Sequence, residues 1–384
     1  MKVCVYAIAK DEEKFVERWV RSVQEADAIC VLDTGSTDKT VERLADLGVI
    51  VRQETVSPWR FDTARNLSLE LVPEDTDVCV CVDLDDVLRP GWRAALERAW
   101  QPWAEKGRYM SIRDRCGDGT PGTSFLMDKI HRPGLFRWKY PVHEILERTD
   151  SAQGIQDSLT VDVPELVVEH MPDLTKSRAQ YLPLLELAAR ENPQDARCAH
   201  YLGREYMYYG RWADGIRELE RHLALPSATW EEQRAASMRY LSTCHLGLRN
   251  NREALRWALR AAAEAPELRE NWFHAEWAAY VLEDWGGVIY YGERAKSIHQ
   301  RSAGGISEAE AWGAAIHDLL SLAYWHQGQP ARAVQAAEAA LAVEPDNERI
   351  RGNLAFYKSS LGPKERASAD PAAVCRASME GGGT

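Results

Sequence analysis

Residues 78–86 read VCVCVDLDD, and this stretch decides the fold of the first half of the chain. Its apolar start is typical of a buried strand, and acidic residues follow it directly. Similar apolar runs occupy residues 2–9, 28–33 and 49–52, with amphipathic helical patterns between them. This alternation predicts an α/β domain, built on a mostly parallel sheet with helices on both faces.

The carboxyl ends of these strands carry the polar residues. In an open parallel sheet, ligands bind beyond those ends. Acidic clusters stand there at residues 9–12 (AKDE), 33–38 (DTGSTD) and 83–86 (DLDD). No Gly-x-Gly-x-x-Gly motif follows the first strand and the sequence has no Walker A motif, which argues against dinucleotide and P-loop sites.

Asp83 and Asp85 form the pattern that points to a metal. Two carboxylates one residue apart at a sheet edge can share a hard divalent cation, and Mg²⁺ or Mn²⁺ prefers oxygen ligands and help from substrate phosphates. Such an ion would neutralise a nucleoside diphosphate as it leaves a sugar. The alternative for an isolated Asp-x-Asp is a solvated acidic turn, but the buried strand before it and the Asp33 cluster favour the metal.

Three further side chains are candidates for chemistry. Arg65, in the segment FDTARN (residues 61–66), can bind phosphate or hold Asp33, because a guanidinium pairs with both groups. Glu144 could deprotonate an acceptor hydroxyl or thiol. His170 could complete the metal site, although a lone histidine is more often structural. The carboxylates that compete with Glu144 for the role of base are Asp114, Asp118 and Asp128.

The second half of the chain predicts helical repeats. Strand patterns cease after residue 170, and the following sequence is rich in Ala, Leu, Glu and Arg with helical periodicity. Four helical hairpins are expected, at residues 196–225, 230–265, 271–300 and 309–343. Their spacing is close to that of tetratricopeptide repeats. The expected domains are therefore a catalytic domain at 1–175, repeats at 176–360 and a disordered tail at 361–384.

The composition limits the partners and the location. The 384 residues carry a net charge of −12, which argues against a broad surface for nucleic acid or anionic lipid. No window approaches 18 consecutive apolar residues, so no transmembrane segment is expected. The eight cysteines form no disulfide or zinc pattern and are expected to be buried thiols. With no signal peptide pattern at the start, we expect a cytoplasmic protein.

In order and spacing, these motifs resemble family 2 glycosyltransferases of the GT-A fold. The segments at residues 9–12, 31–38, 61–66 and 82–86 carry the resemblance. The Val-His-Glu at residues 142–144 and the segment around His170 resemble the matching segments of one subgroup. Members of this subgroup carry tetratricopeptide-like repeats after the catalytic domain. This subgroup includes lipopolysaccharide-core glucosyltransferase-like proteins and bacterial S-glycosyltransferases of glycopeptide bacteriocins.

The resemblance implies a role for each matching residue and an inverting transfer with one general base. Nucleotide-sugar contacts are implied for Ala9, Asp11, Asp33, Arg65, Asp83 and Leu84, with Ala9 and Asp33 at the nucleobase and Asp83 at the ribose. The implied ligands of the Mg²⁺ or Mn²⁺ ion are Asp83, Asp85 and His170. Glu144 takes the position of the base. The donor is expected to be a UDP-sugar.

Three positions depart from the common family pattern. Thr34 stands where many members have a second Asp, Arg60 where many have Asp, and Asp86 where Glu is common. These departures weaken the inference about the nucleobase and the donor sugar more than the inference about the reaction.

The acceptor is the most open question. A helical stack offers the extended groove that a polypeptide acceptor needs, which favours a peptide or protein side chain over a lipopolysaccharide or other glycan. The repeats could also be a rigid extension or a homodimer interface. Two other functions are possible: a haloacid-dehalogenase-type phosphatase, from residues 82–88 (VDLDDVL), or a repeat scaffold with an inactive transferase domain.

Overall fold

The computed structural model describes residues 1–113, 123–149, 159–173, 179–302 and 306–361. The chain divides into two compact units. The first comprises Met1–Asn192, and the second, within the described residues, comprises 193–302 and 306–361. The domain boundary expected at residues 175/176 and the tail expected beyond 361 lie outside the described residues.

Ten strands and five α-helices build the described part of the first unit. The strands are β1 (Val3–Ala9), β2 (Ala28–Asp33), β3 (Ile50–Gln53), β4 (Val78–Cys81), β5 (Asp86–Leu88), β6 (Lys106–Ile112), β7 (Ser124–His131), β8 (Phe136–Lys139), β9 (Ile145–Arg148) and β10 (Thr160–His170). The helices are α1 (Val16–Val23), α2 (Thr40–Asp46), α3 (Phe61–Leu69), α4 (Trp92–Ala99) and α5 (Tyr181–Glu191).

Eight of the strands form one sheet in the order β3-β2-β1-β4-β7-β6-β10-β5. The first four are parallel, as the sequence predicts. Strand β7 runs antiparallel to β4 and β6, and β5 runs antiparallel to β10, whereas β10 is parallel to β6. Six strands therefore share one direction, which confirms a mostly parallel GT-A-like sheet.

The core of this unit lies between the sheet and its helices. Val16, Trp19, Val20 and Val23 form the apolar face of α1 and are buried in a cluster with the β1 valines and Leu44 of α2. The spacing of these residues, three and four apart, places them on one side of a helix. Burial of this face holds α1 beside β1 and positions the loops that follow β1 and β2.

A second, two-stranded sheet of β8 and β9 is held by the side chain of Asn66. Its amide donates to the Trp138 carbonyl at 2.9 Å, and its side-chain oxygen accepts from the Trp138 amide at 2.8 Å. Asn66 thus pairs with β8 as a strand neighbour would. This contact ties β8 to α3, which carries Arg65.

The second unit is a tetratricopeptide-like series of antiparallel helical hairpins. Its helices are α6 (Ala196–Tyr208), α7 (Trp212–Ala224), α8 (Glu231–Gly247), α9 (Asn251–Glu264), α10 (Arg269–Val281), α11 (Trp285–Lys296), α12 (Ala315–His326), α13 (Pro330–Val343) and α14 (Glu348–Ser360), with a 3-10 turn at Ala309–Trp312 before α12. The four predicted hairpins are present as α6–α7, α8–α9, α10–α11 and α12–α13. Small residues allow their close packing: Ala254 and Ala333 are fully buried.

The six cysteines among the described residues are all buried and free, which agrees with the expectation of thiols without disulfides. Within the same residues, no helix is both long and apolar enough to cross a membrane.

Candidate active site

One edge of the large sheet gathers most of the candidate residues. Asp33 ends β2, Asp83 follows β4, and His170 ends β10, and these three strands run in the same direction. Strand β5 runs the opposite way, so its first residue, Asp86, lies at the same edge opposite His170. This edge is where an open α/β sheet binds its ligands.

Asp33 is fully buried and is held by the turn that follows it. Its Oδ1 accepts from the backbone amides of Gly35 at 3.1 Å and Ser36 at 2.9 Å, and its Oδ2 accepts from the Ser36 hydroxyl. Gln53, at the end of the neighbouring β3, donates to Oδ1 at 3.4 Å. Gly35 has a φ of 109°, a conformation that favours glycine, so this residue shapes the turn.

Arg65 joins two of the predicted carboxylates. It is buried on α3, its guanidinium lies 2.9 Å from Asp83 Oδ1, and its Nε donates to Glu144. It also lies over the Trp138 ring, 5.2 Å from the centroid. The sequence suggested that Arg65 could hold Asp33. In the structure it pairs with Asp83 and Glu144 instead.

Lys129 of β7 is a partner that the sequence analysis missed. It is buried, and its ammonium donates to Asp83 Oδ2 at 2.7 Å. Both oxygens of Asp83 are therefore bound by cations. Burial works against the charged form of Asp83, but Arg65 and Lys129 outweigh it, so the pKa of this carboxyl lies below its usual range. Burial likewise opposes the charge on Lys129, yet Asp83 raises the pKa of the ammonium.

Asp85, Asp86 and His170 form the cluster that could hold a metal ion. One ligand atom from each lies within 4.8 Å of the others. His170 Nδ1 is 2.9 Å from Asp86 Oδ1 and 3.8 Å from Asp85 Oδ2. Two carboxylates and an imidazole suit a divalent cation such as Mn²⁺, so the residues fit the expected metal.

The electrostatics of Asp85 also fit a cation. Burial raises the pKa of its carboxyl, and the negative charges of Asp83 and Asp86 raise it further. A bound cation would relieve that repulsion. Of the predicted ligands, Asp85 and His170 lie in this cluster together with Asp86, whereas Asp83 pairs with Arg65 and Lys129.

Glu144 lies in a tight connection between β8 and β9. Its side chain is mostly buried and contacts Arg65. Two non-glycine residues of this connection have positive φ values, 80° at Tyr140 and 52° at His143. Such conformations are uncommon and cluster at functional sites, which supports a functional role for the residue that follows His143.

The remaining predicted donor-site residues lie at the same edge in different settings. Ala9 is buried, and its carbonyl accepts from the Thr34 amide at 2.8 Å. Asp11 is exposed and its Oδ1 accepts from the Thr37 amide at 2.7 Å, which ties the β1 loop to the β2 loop. Leu84 is buried in the main core, so only its backbone could reach a nucleotide.

Of the three carboxylates that compete with Glu144 for the role of base, the structure describes one. Asp128 of β7 pairs with Lys106 at 3.5 Å and is exposed. Asp114 and Asp118 lie outside the described residues. Of the two that are described, Glu144 is the one in contact with Arg65.

Residues 4–155 match the family model described as glycosyl transferase family 2. The match covers less than half of the chain and supports a glycosyltransferase family 2 domain at these residues of the first unit. The match covers the strand-end segments, Arg65, the Asp83–Asp86 stretch and Glu144, and ends before His170. The resemblance drawn from the motifs is confirmed for this domain, and the domain supports a glycosyltransferase.

Several solved structures are similar to part of the chain. The crystal structure of MamA has 17% sequence identity and a TM-score of 0.36, covering 44% of this chain and 89% of that one. TTC0263, a thermophilic TPR protein in Thermus thermophilus, has 17% identity and a TM-score of 0.35, covering 46% and 88%. YrrB, a TPR protein with an unusual peptide-binding site, has 15% identity and a TM-score of 0.35, covering 47% and 83%. A comparison with curated protein sequences finds no match.

Two residues of the family 2 domain, Lys129 and Asp86, were absent from the predicted site. Lys129 lies in a strand whose last residues are buried, so a charged residue among apolar ones was a signal that it has a partner. Asp86 follows directly after the Asp-x-Asp pattern. Its pairing with His170 depends on the antiparallel contact of β5 and β10, which the sequence of a three-residue strand does not reveal.

Proposed function

We propose that this protein is an inverting, metal-dependent glycosyltransferase that moves a sugar, most simply a hexose, from a UDP-sugar to a polypeptide side chain. The observation that carries the proposal is the cluster of Asp85, Asp86 and His170 beside the buried Arg65–Asp83–Lys129 set, within a family 2 domain. The cluster supplies ligands for a divalent ion, and the set supplies fixed charges where a diphosphate would lie.

The donor would bind along the strand ends. The amides of Gly35 and Ser36 hold Asp33 Oδ1, and the N–H of a uracil base would replace the Ser36 hydroxyl at Oδ2. Arg65 and Lys129 bring two positive charges to Asp83, and guanidinium and ammonium groups bind phosphate oxygens as well as carboxylates. A Mg²⁺ or Mn²⁺ ion held by Asp85, Asp86 and His170 would neutralise the leaving diphosphate.

The acceptor would be activated by Glu144. In an inverting displacement, an acceptor hydroxyl or thiol forms the new bond to the anomeric carbon as the bond to the diphosphate breaks. The acceptor proton passes to the Glu144 carboxylate, and the nucleoside diphosphate leaves with the electron pair. Arg65 holds Glu144 in place through one oxygen, which leaves the other oxygen to accept the proton.

Two features support a polypeptide acceptor. The helical hairpins of the second unit form the kind of extended surface that binds polypeptides, and a small acceptor would need only a pocket in the first unit. A lipopolysaccharide or other glycan acceptor is the second candidate. An inactive transferase domain on a repeat scaffold would leave the intact acidic cluster without a role, and the phosphatase alternative would need Asp83 as a free nucleophile, whereas both of its oxygens are bound.

A donor screen tests the proposal. The full chain is incubated with Mn²⁺ or Mg²⁺ and each common nucleotide sugar, and released nucleoside diphosphate is measured, first alone and then with polypeptide or glycan acceptors. We expect metal-dependent release from a UDP-sugar that a polypeptide acceptor accelerates. Release without metal, or protection from heat by ADP or GDP better than by UDP, contradicts the proposed donor chemistry. Acceleration by glycans alone contradicts the proposed acceptor.

A further inference from the structure

The connection between α11 and α12 is much longer than the other connections between hairpins. It spans residues 297–314, whereas the others span 225–230, 265–268 and 344–347. Helix–helix connections of about 2–8 residues are the norm, and much longer ones are uncommon. The described residues of this connection are 297–302 and 306–314, and we name residues 306–314 the strap.

The strap lies on the faces of α8 and α10, the first helices of two successive hairpins. On α8 it contacts Arg239, a fully buried arginine. Arg239 donates to Glu308 Oε1 at 2.8 Å and to the carbonyl of Ile306 at 3.3 Å. A third bond, to Asn271 Oδ1 at 2.6 Å, links the guanidinium to α10. Arg239 therefore binds both a carboxylate and a backbone carbonyl of the strap.

Helix α10 holds the strap by two further side chains. His274 Nε2 lies 2.6 Å from Glu308 Oε2, so both oxygens of this carboxylate are bound. Glu270 Oε1 accepts from the Ser307 hydroxyl at 2.7 Å and from the Trp312 indole at 2.7 Å. The Glu308 amide also points to Glu270, at 3.4 Å. These contacts hold residues 306–308, which precede the 3-10 turn, through their backbone and the Glu308 carboxylate, and they hold the turn itself through the Trp312 indole.

The contact combines core packing with polar recognition. Ala311 is fully buried in a hydrophobic cluster, and Ile306 and Trp312 pack against buried clusters, while the polar contacts centre on Glu308. Burying a guanidinium costs several kcal/mol of desolvation, and a well-packed apolar pair is often as stable as a buried ion pair. The strap is half-buried, and Ala309 and Glu310 are exposed. Burial opposes the charge on Glu308, but His274 and Arg239 hold the pKa of its carboxyl below the usual range, so it binds as an anion.

We propose that the face formed by Arg239, Glu270, Asn271 and His274 is a binding site for an extended polypeptide carrying a carboxylate, and that the strap occupies it until such a polypeptide replaces it. That the replacing polypeptide is the glycosylation acceptor rests on the proposed function. The site itself does not, because its contacts are independent of nucleotide and metal. A strap tethered at both ends competes at an effective concentration in the millimolar range, so replacement needs several contacts at once.

Competition with a synthetic strap tests the site. The probe is a dye-labelled peptide of residues 306–314, ISEAEAWGA, and its binding to the full chain is followed by fluorescence anisotropy. Glu308→Ala weakens the tethered strap, and Glu310→Ala, at an exposed position of the same strap, is the matched control. A second peptide carries Glu308→Gln.

We expect the Glu308→Ala chain to bind the first peptide roughly tenfold or more tightly than the wild type and the Glu310→Ala chain do, because the tethered competitor is weakened. The Glu308→Gln peptide should bind the same variant about tenfold more weakly, since it lacks the charge-assisted bonds. Absence of binding by a folded Glu308→Ala chain, or equal binding of the two peptides, overturns the proposal.

Hydrogen exchange of the wild type provides the second measurement, in case Glu308→Ala does not fold. The amides of Glu308 and Ala311 should exchange about tenfold or more faster than those in the middle of α8 and α10, because the strap opens while the helices stay folded. Equal protection of the strap and the helices means that the strap leaves only when the unit unfolds, and this overturns the proposal. Neither measurement uses a nucleotide sugar, so its failure is distinct from failure of the transferase proposal.

Discussion

Lys129 donates to Asp83 at 2.7 Å from the side opposite Arg65, so that the first aspartate of the Asp-x-Asp pattern lies between two buried cations. We expect Lys129→Met to lower the free energy of unfolding by about 2 kcal/mol, the cost of losing a hydrogen bond between charged groups. Lys106→Met is the control, since Lys106 is equally buried but pairs with the exposed Asp128 at 3.5 Å. Equal effects of the two substitutions in urea unfolding would show that the Lys129–Asp83 contact adds nothing.

Substitutions distinguish the proposed metal ligands from their neighbours. Asp86→Asn removes a carboxylate of the Asp85–Asp86–His170 cluster and should weaken Mn²⁺ binding in the presence of UDP by about tenfold or more. Asp162→Asn, on β10 but paired with Arg108 away from the cluster, is the control. Titration calorimetry measures both. If Asp83→Asn abolishes Mn²⁺ binding and Asp86→Asn does not, the ligands are those expected from the Asp-x-Asp pattern.

The role of Glu144 is tested by its amide. Glu144→Gln keeps the shape and the contact with Arg65 but cannot take a proton, so UDP should raise the melting temperature as in the wild type while transfer falls about 10²–10⁴ fold. Asp128→Asn is the matched control among the described carboxylates. Transfer near the wild-type rate in Glu144→Gln assigns the base to another residue.

The first unit is expected to act on the donor by itself. A fragment of residues 1–192 keeps α5, whose Glu191 pairs with Arg60 at 2.6 Å and whose Tyr181 contacts Phe61. It should bind UDP and hydrolyse the donor slowly but no longer transfer to a polypeptide. A fragment of residues 1–180 lacks α5 and should melt at a lower temperature. Polypeptide transfer by the 1–192 fragment at the full rate would remove the helical hairpins from acceptor recognition.

Glu276 of α10 predicts a pH dependence of stability. It is almost fully buried, and neither carboxylate oxygen has a hydrogen-bond partner within the described residues. Burial raises the pKa of Glu276 well above its usual value, and the charges of Glu293 and Asp318 raise it further. The folded state therefore keeps a proton that the unfolded state releases above about pH 4.3, and stability falls as the pH rises from there toward the folded pKa.

Glu276→Gln removes this proton linkage. Near pH 4 its melting temperature should match the wild type, and at pH 8 its free energy of unfolding should be higher by about 1 kcal/mol, the order of an unsatisfied buried group. Glu253→Gln, in an exposed pair with Arg256, is the control and should change little at either pH. A wild type whose stability rises between pH 4 and 8, with no gain in Glu276→Gln, contradicts a protonated Glu276.

The parallel half of the fold was predictable because its strands are buried on both faces. Such strands read as continuous apolar runs, and β1, β2 and β4 do so. Strands β6 and β7 were missed because lysine, arginine and aspartate interrupt their apolar residues. Their place in the sheet depends on pairing with β4 and β10, which lie far away in sequence.

The sequence identified most residues of the candidate site, but not the contacts among them. Asp83, Asp85 and His170 stand out by type and position. Which side chain each residue contacts depends on strand order and register. For this reason the sequence linked Arg65 to Asp33, although Arg65 contacts Asp83. Asp86 was noted only as a departure from the common family pattern. The strap had one signal, the unassigned residues 301–308 between the third and fourth predicted hairpins, while its 3-10 turn falls within the fourth predicted hairpin.

The pairing of β5 with β10 also sets the order in which the site can arise. Asp86 and His170 contact each other across 84 residues of chain. During synthesis from the N-terminus, the strand ends with Asp33 and Asp83 leave the ribosome well before β10, which must add to β6 and β5 before His170 meets Asp86. A nascent chain thus lacks the contact between Asp86 and His170 until β10 is in place, so under the proposed function it cannot hold the metal or act on a sugar donor before that moment.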